Sequence, residues 1–113
     1  MKIDKTPPIF LVQAIPPVLW PVNHKLVDVV VLKAAVDLLS GTDGFTLLSV
    51  ASSDPETTAD DIQEWTIGAP DTRGKLRAER SNKRKGRVYT LAYEAVDDAG
   101  NTAKATTVVL VPR

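Results

Sequence analysis

The stretch that decides the fold is Arg87-Val88-Tyr89-Thr90-Leu91-Ala92-Tyr93-Glu94-Ala95-Val96, followed after residues 97–101 by a second apolar run over 102–111. Tyr89, Leu91, Tyr93 and Ala95 fall on one face of an extended chain, and Val88, Thr90, Ala92 and Glu94 on the other. A period of two, rich in aromatic and β-branched residues, is the pattern of a half-buried strand. Residues 97–101 supply a tight turn in which Gly100 can take positive φ. The second run stops at Pro112, so the last third of the chain predicts an antiparallel hairpin.

Toward the N-terminus the same alternation recurs. Residues 75–81 place Leu76 and Ala78 inward and Arg77 and Glu79 toward water, and 63–67 predict a short strand carrying Trp65. Residues 45–51 predict a strand with Phe45 and Leu47 on one face and Thr46, Leu48 and Val50 on the other, after a turn over 40–44. In 26–36, Val27, Val29 and Val31 share one face while Leu26, Val30, Leu32 and Ala34 mostly share the other. That β-branched density favours a central strand buried on part of both faces. A helix over 27–39 competes, because Leu32, Val36 and Leu39 have helical spacing. Residues 9–20 read as an edge strand broken by Pro16 and Pro17. About seven short strands, with turn signals about every 10 residues, predict an all-β, immunoglobulin-like Greek-key sandwich of antiparallel strands.

Composition limits the function classes. The 113 residues make one domain, 1–113, with 1–8 as a linker. Hydrophobic residues are 43% and charged residues 25%, ordinary for a globular domain. No apolar run approaches the roughly 20 residues of a spanning helix, so membrane insertion is not expected. Fourteen basic residues balance fourteen acidic ones, which argues against a nucleic-acid partner. With no cysteine and a single histidine, His24, thiolate catalysis and the common transition-metal sites lack their ligands.

Several segments resemble bacterial immunoglobulin-like (fibronectin III-like) domains of secreted or cell-surface multidomain proteins. They are Leu19-Trp20-Pro21-Val22-Asn23-His24-Lys25-Leu26-Val27, Leu76-Arg77-Ala78-Glu79-Arg80, Gly86-Arg87-Val88-Tyr89-Thr90 and the ending from Tyr93 to Ala103. The opening Asp4-Lys5-Thr6-Pro7-Pro8 is similar to the junction that joins such modules. Val22 stands where that family often has a second proline, and residues 54–61 lack its Gly-Asp repeats. The resemblance implies a non-catalytic spacer, stalk or adhesion module outside the cell, whose export signal lies outside this chain. Its implied partners are neighbouring domains of the same protein or other protein surfaces. A variant expectation is assembly through edge strands, with the Pro-broken first segment as the element exchanged with a neighbouring chain.

Four constellations could carry chemistry. His24, with Asp28 nearby, could serve as a base or ligand; the simpler expectation is that Asn23 and His24 bond backbone at a strand entrance while Trp20 plugs the core. Asp54, Glu56, Asp60, Asp61, Glu64 and Asp71 form an acidic stretch without a single basic residue, either a calcium-binding loop or a solvated one. Asp97, Asp98 and Asn101 form a second oxygen-rich group, a candidate calcium site or an Asx-type turn. From Arg73 to Arg87 the sign inverts: eight basic residues face Glu79 alone. Arg77, Arg80, Lys83, Arg84 and Lys85, with Trp65 as the exposed aromatic platform, are the candidate site for carbohydrate or an acidic polymer. Alternatively these basic residues sit on solvent-facing positions and guard a strand edge. Tyr93 is expected in the core, its hydroxyl bonded to loop backbone.

Overall fold

The computed structural model describes residues 9–36, 42–80, 86–97 and 102–112. Seven strands run β1 (Ile9–Ile15), β2 (Leu26–Val36), β3 (Thr42–Ser52), β4 (Ile62–Gln63), β5 (Arg73–Arg77), β6 (Arg87–Asp97) and β7 (Thr102–Val111), with one 3-10 turn, Ala59–Asp61. They form two antiparallel sheets, ordered β1-β2-β5-β4 and β3-β6-β7. The chain is elongated, with extents of 57 × 23 × 21 Å.

A shared core lies between the sheets, in a sandwich-like arrangement. Ala14, Val29, Val31 and Leu76 reach it from the first sheet, and Leu47, Tyr89, Leu91, Tyr93, Ala95, Val109 and Val111 from the second. The alternation in β6 is therefore real: its four odd-numbered residues from Tyr89 to Ala95 are all fully buried. β6 pairs with β7 without interruption from Arg87↔Val111 to Val96↔Thr102. On β5, Leu76 faces the core as expected, and Ala78 follows just beyond the strand.

β2 is a strand throughout, paired with β1 from Val30 to Val36 and with β5 from Leu26 to Val30, which removes the helical alternative. Its inner face is fully buried at Val29 and Val31, while on the outer face Leu26 and Val30 are half-buried and Leu32 is 58% exposed. β3 departs from simple alternation. Its register shifts by one residue between Leu47 and Ser49, opposite Tyr93 and Ala92, so that Leu47 is buried and Val50 also packs on the core. Such a bulge moves every later side chain to the opposite face. Residues 42–44, expected as turn, belong to β3, and the strand expected over 63–67 is only Ile62–Gln63.

The first segment changes sheets. β1 pairs with β2, and beyond Pro16 the chain crosses so that Val18 bridges Leu110 of β7 in parallel. Leu19 N–H donates to Leu110 C=O and Leu110 N–H to Pro17 C=O, both at 2.8 Å. Leu19 is buried while Trp20 is 69% exposed, so the core is plugged by the leucine and not by the tryptophan.

Candidate functional site

The two oppositely charged segments fold onto each other. Arg87 opens β6 with the same parity as Tyr89, which turns its side chain inward, where it is 1% exposed. A buried guanidinium needs partners for its charge and its N–H groups. Nε and Nη2 both donate to Asp54 Oδ2, at 3.1 and 3.0 Å, and Nη1 donates to Asp61 Oδ2 at 3.1 Å and to the Tyr89 hydroxyl at 2.8 Å. The Tyr89 hydroxyl donates onward to Arg77 C=O at 2.8 Å.

The carboxylates are equally engaged. Asp54 Oδ1 accepts from Glu56 N–H at 3.0 Å, and Asp61 Oδ2 accepts from Thr58 N–H at 3.1 Å. Asp61 Oδ1 accepts from Arg77 Nε at 2.8 Å, and Arg77 Nη1 donates to His24 C=O at 2.7 Å. Burial pushes the Asp61 carboxyl up, but the Thr58 N–H and the guanidinium groups of Arg77 and Arg87 outweigh it and hold the group below its ordinary value. Arg87 is opposed by burial as well, yet the Tyr89 hydroxyl and Asp54 raise its pKa further. Tyr89 is raised by its burial, against the pull of Arg87.

This network corrects the expectation of a solvated acidic loop facing a solvent-exposed basic run. Asp54 and Asp61 are buried, Arg87 is buried, and Arg77 is half-buried against Asp61. Lys75 continues the pattern on the surface, 3.2 Å from Glu64, and Asp71 caps the turn by accepting from Thr66 N–H and Arg73 N–H. Chemically, the arrangement pins residues 54–61 to the ends of β5 and β6. Its polar atoms bond one another, which suits a clamp and leaves little to offer a substrate.

The other candidates are scattered. Arg80 is half-buried, with no partner for its Nε among the described residues, while Lys83, Arg84 and Lys85 lie outside the described residues. Trp65 is half-buried: its indole N–H donates to Lys75 C=O at 3.2 Å and its ring lies over Gly74, so among the described side chains the exposed aromatic is Trp20. Asp97 ends β6 opposite Thr42, and Asp98 and Asn101 lie outside the described residues. Among the described residues no group of three or more His, Asp or Glu side chains could hold a metal ion. His24 has φ 65 and presents Nδ1 to Glu79 Oε1 at 3.1 Å, while Asn23 accepts from Lys25 N–H. Asp28 faces Lys75 at 3.9 Å instead of His24.

Tyr93 meets its expectation: the buried hydroxyl donates to Asp71 C=O at 2.7 Å. Burial and the Asp71 charge push it up to about 12. The role of Arg87 escaped the sequence because it reads as part of a basic run. The parity of β6, extended one step back from Tyr89, carries the signal that places it inside. No protein-family model, curated protein or solved structure matches the chain.

Proposed function

We propose that this chain is a non-catalytic immunoglobulin-like module of an extracellular multidomain protein, acting as a spacer or interaction domain. Constant-type immunoglobulin domains place strands A, B, E and D in one sheet and C, F and G in the other. With β1 to β7 taken as A to G, the observed orders β1-β2-β5-β4 and β3-β6-β7 correspond strand for strand, which supports the assignment. The ionic clamp supports a structural role, since its charged groups are consumed in holding a loop.

The observation that carries the spacer role is the parallel bridge between Val18 and Leu110. β1 begins nine residues before Val18, whereas β7 ends one residue after Leu110. Because the two segments run in the same direction there, the chain comes in at one end of the long axis and leaves at the other. Modules built this way join head to tail in a line. Three copies linked in tandem and measured by small-angle X-ray scattering should show a maximum dimension that grows by a similar increment with each copy. A compact particle, with copies folded back on one another, would overturn the proposal.

A further inference from the structure

Each sheet has two edges, and an edge strand offers unpaired backbone groups to any strand that arrives. Three of the four edges are bent, short or engaged in part. β7 is bonded at Leu110 by residues 17–19 and reached at Thr107 by Ala14 of β1. β3 is bonded at Leu47 by Gly68 and Ala69, at 2.9 Å each, and bent by two register shifts. β4 is two residues long.

β1 is built differently. Its sequence, Ile-Phe-Leu-Val-Gln-Ala-Ile, contains no charge, proline or glycine. Ala14 fixes which backbone groups point outward: its N–H leaves the sheet for Thr107 Oγ1 at 2.9 Å. In an antiparallel ladder Phe10 and Val12 then share that outward phase. Ala14 is satisfied within the chain, since Gln13 Nε2 also donates to its carbonyl at 2.9 Å. Val12 has no corresponding partner among the described residues. Beside them, Leu11 (63% exposed) and Leu32 (58% exposed) line a shallow groove of about 410 Å³ with Val12, Gln13 and Lys33.

We propose that β1 pairs antiparallel with β1 of a second copy of this chain, about a two-fold axis at Leu11. In that register Phe10 of each copy exchanges both backbone bonds with Val12 of the other, and Leu11 faces Leu11 of the partner copy. Centring the axis on Val12 would instead require the Ala14 groups that Thr107 and Gln13 already hold. The pairing brings no like charges together, joins two four-stranded sheets into one continuous sheet, and closes at two copies by symmetry. For its use as an assembly contact it rests on the module reading above. Its test is separate, because a monomeric chain leaves that reading standing.

Sedimentation across a concentration series should show the 12.2 kDa chain approaching twice its mass. Leu11→Lys and Leu11→Glu should each abolish the dimer by placing like charges directly opposite, and mixing the two variants should restore it as a heterodimer. Leu11 is exposed, so both variants are expected to keep the wild-type circular dichroism. The nearly isosteric Leu11→Cys gives a second readout in a chain without other cysteines. Oxidation should cross-link it at least tenfold faster than Gln13→Cys, whose partner position in this register is residue 9. A chain that stays monomeric at protein concentrations on the order of 1 mM would overturn the proposal. So would a dimer indifferent to both charges, or equal cross-linking at the two positions.

Discussion

At the scale of single residues, Arg87 is the side chain on which most polar structure depends. Removing one partner from a buried ionic group leaves the others charged and desolvated, at a cost of about 3–5 kcal/mol. Arg87→Met should therefore lower stability in urea denaturation by that amount, and adding Asp54→Asn should recover part of it. Full additivity of the two changes would show that the clamp is not coupled. Asp61 gives the clamp a pH dependence. Its carboxyl is lowered from 3.8 in the fold, so its contribution is present above 3.8 and lost as pH falls through the lower folded value. Asp61→Asn should flatten the acid limb of the stability curve; an unchanged limb would remove Asp61 as its source. Tyr93 acts at the other end of the scale. A hydroxyl raised from 10.0 to about 12 favours the neutral form, so its contribution is present below 10.0 and lost as pH rises through about 12. Tyr93→Phe should cost about 1 kcal/mol at neutral pH and weaken this alkaline loss. The tyrosinate absorbance of a chain with only two tyrosines follows the titration directly.

At the scale of elements, the close approach of Trp65 to β5 makes Gly74 the position with least freedom. A Cβ at Gly74 would overlap the Trp65 ring. Gly74→Ala should destabilise by about 1–3 kcal/mol, the usual cost of overpacking, and should move Trp65 fluorescence toward that of an exposed indole. A smaller side chain at 65 should relieve most of the loss; the same loss in a Trp65→Leu background would place the strain elsewhere. These elements also mark how far the sequence could be read. β6 and β7 were legible because one face is continuously buried and the register is unbroken over ten pairs, so period two holds end to end. β3 was legible as a strand but not in its facing, because a bulge leaves no trace in hydropathy while it reverses every residue after Leu47. Arg87 and Asp54 were misread for a related reason: composition along the chain shows charge, whereas burial depends on parity and on what arrives from across the fold. Trp65 looked like an exposed platform because the sequence cannot show that Gly74 leaves room for its ring.

At the scale of the whole molecule, the zero net charge is the sum of two opposed segments, and folding closes that separation through Arg87, Arg77 and Lys75 onto Asp54, Asp61 and Glu64. The same topology sets how load would pass through the chain. A pull applied at the two ends of the described chain acts in opposite directions on residues 17–19 and on β7, which run parallel. The bonds between them lie across the direction of force, so they are loaded together in shear and do not open one after another. Leu110 donates one of these bonds, to Pro17 C=O at 2.8 Å, with an N–H that points away from β6. A proline is tolerated best at such an outward-facing edge position. Leu110→Pro therefore removes one bond of the patch, worth about 1 kcal/mol, while leaving the β6–β7 ladder in place. In single-molecule extension from the termini, the unfolding rate at fixed force should rise about fivefold. Pulling through residues 36 and 97, at the ends of β2 and β6, leaves both 17–19 and β7 outside the stretched segment and should change far less. Equal acceleration in both geometries would mean that the substitution weakens the fold generally and that the parallel patch bears no particular load.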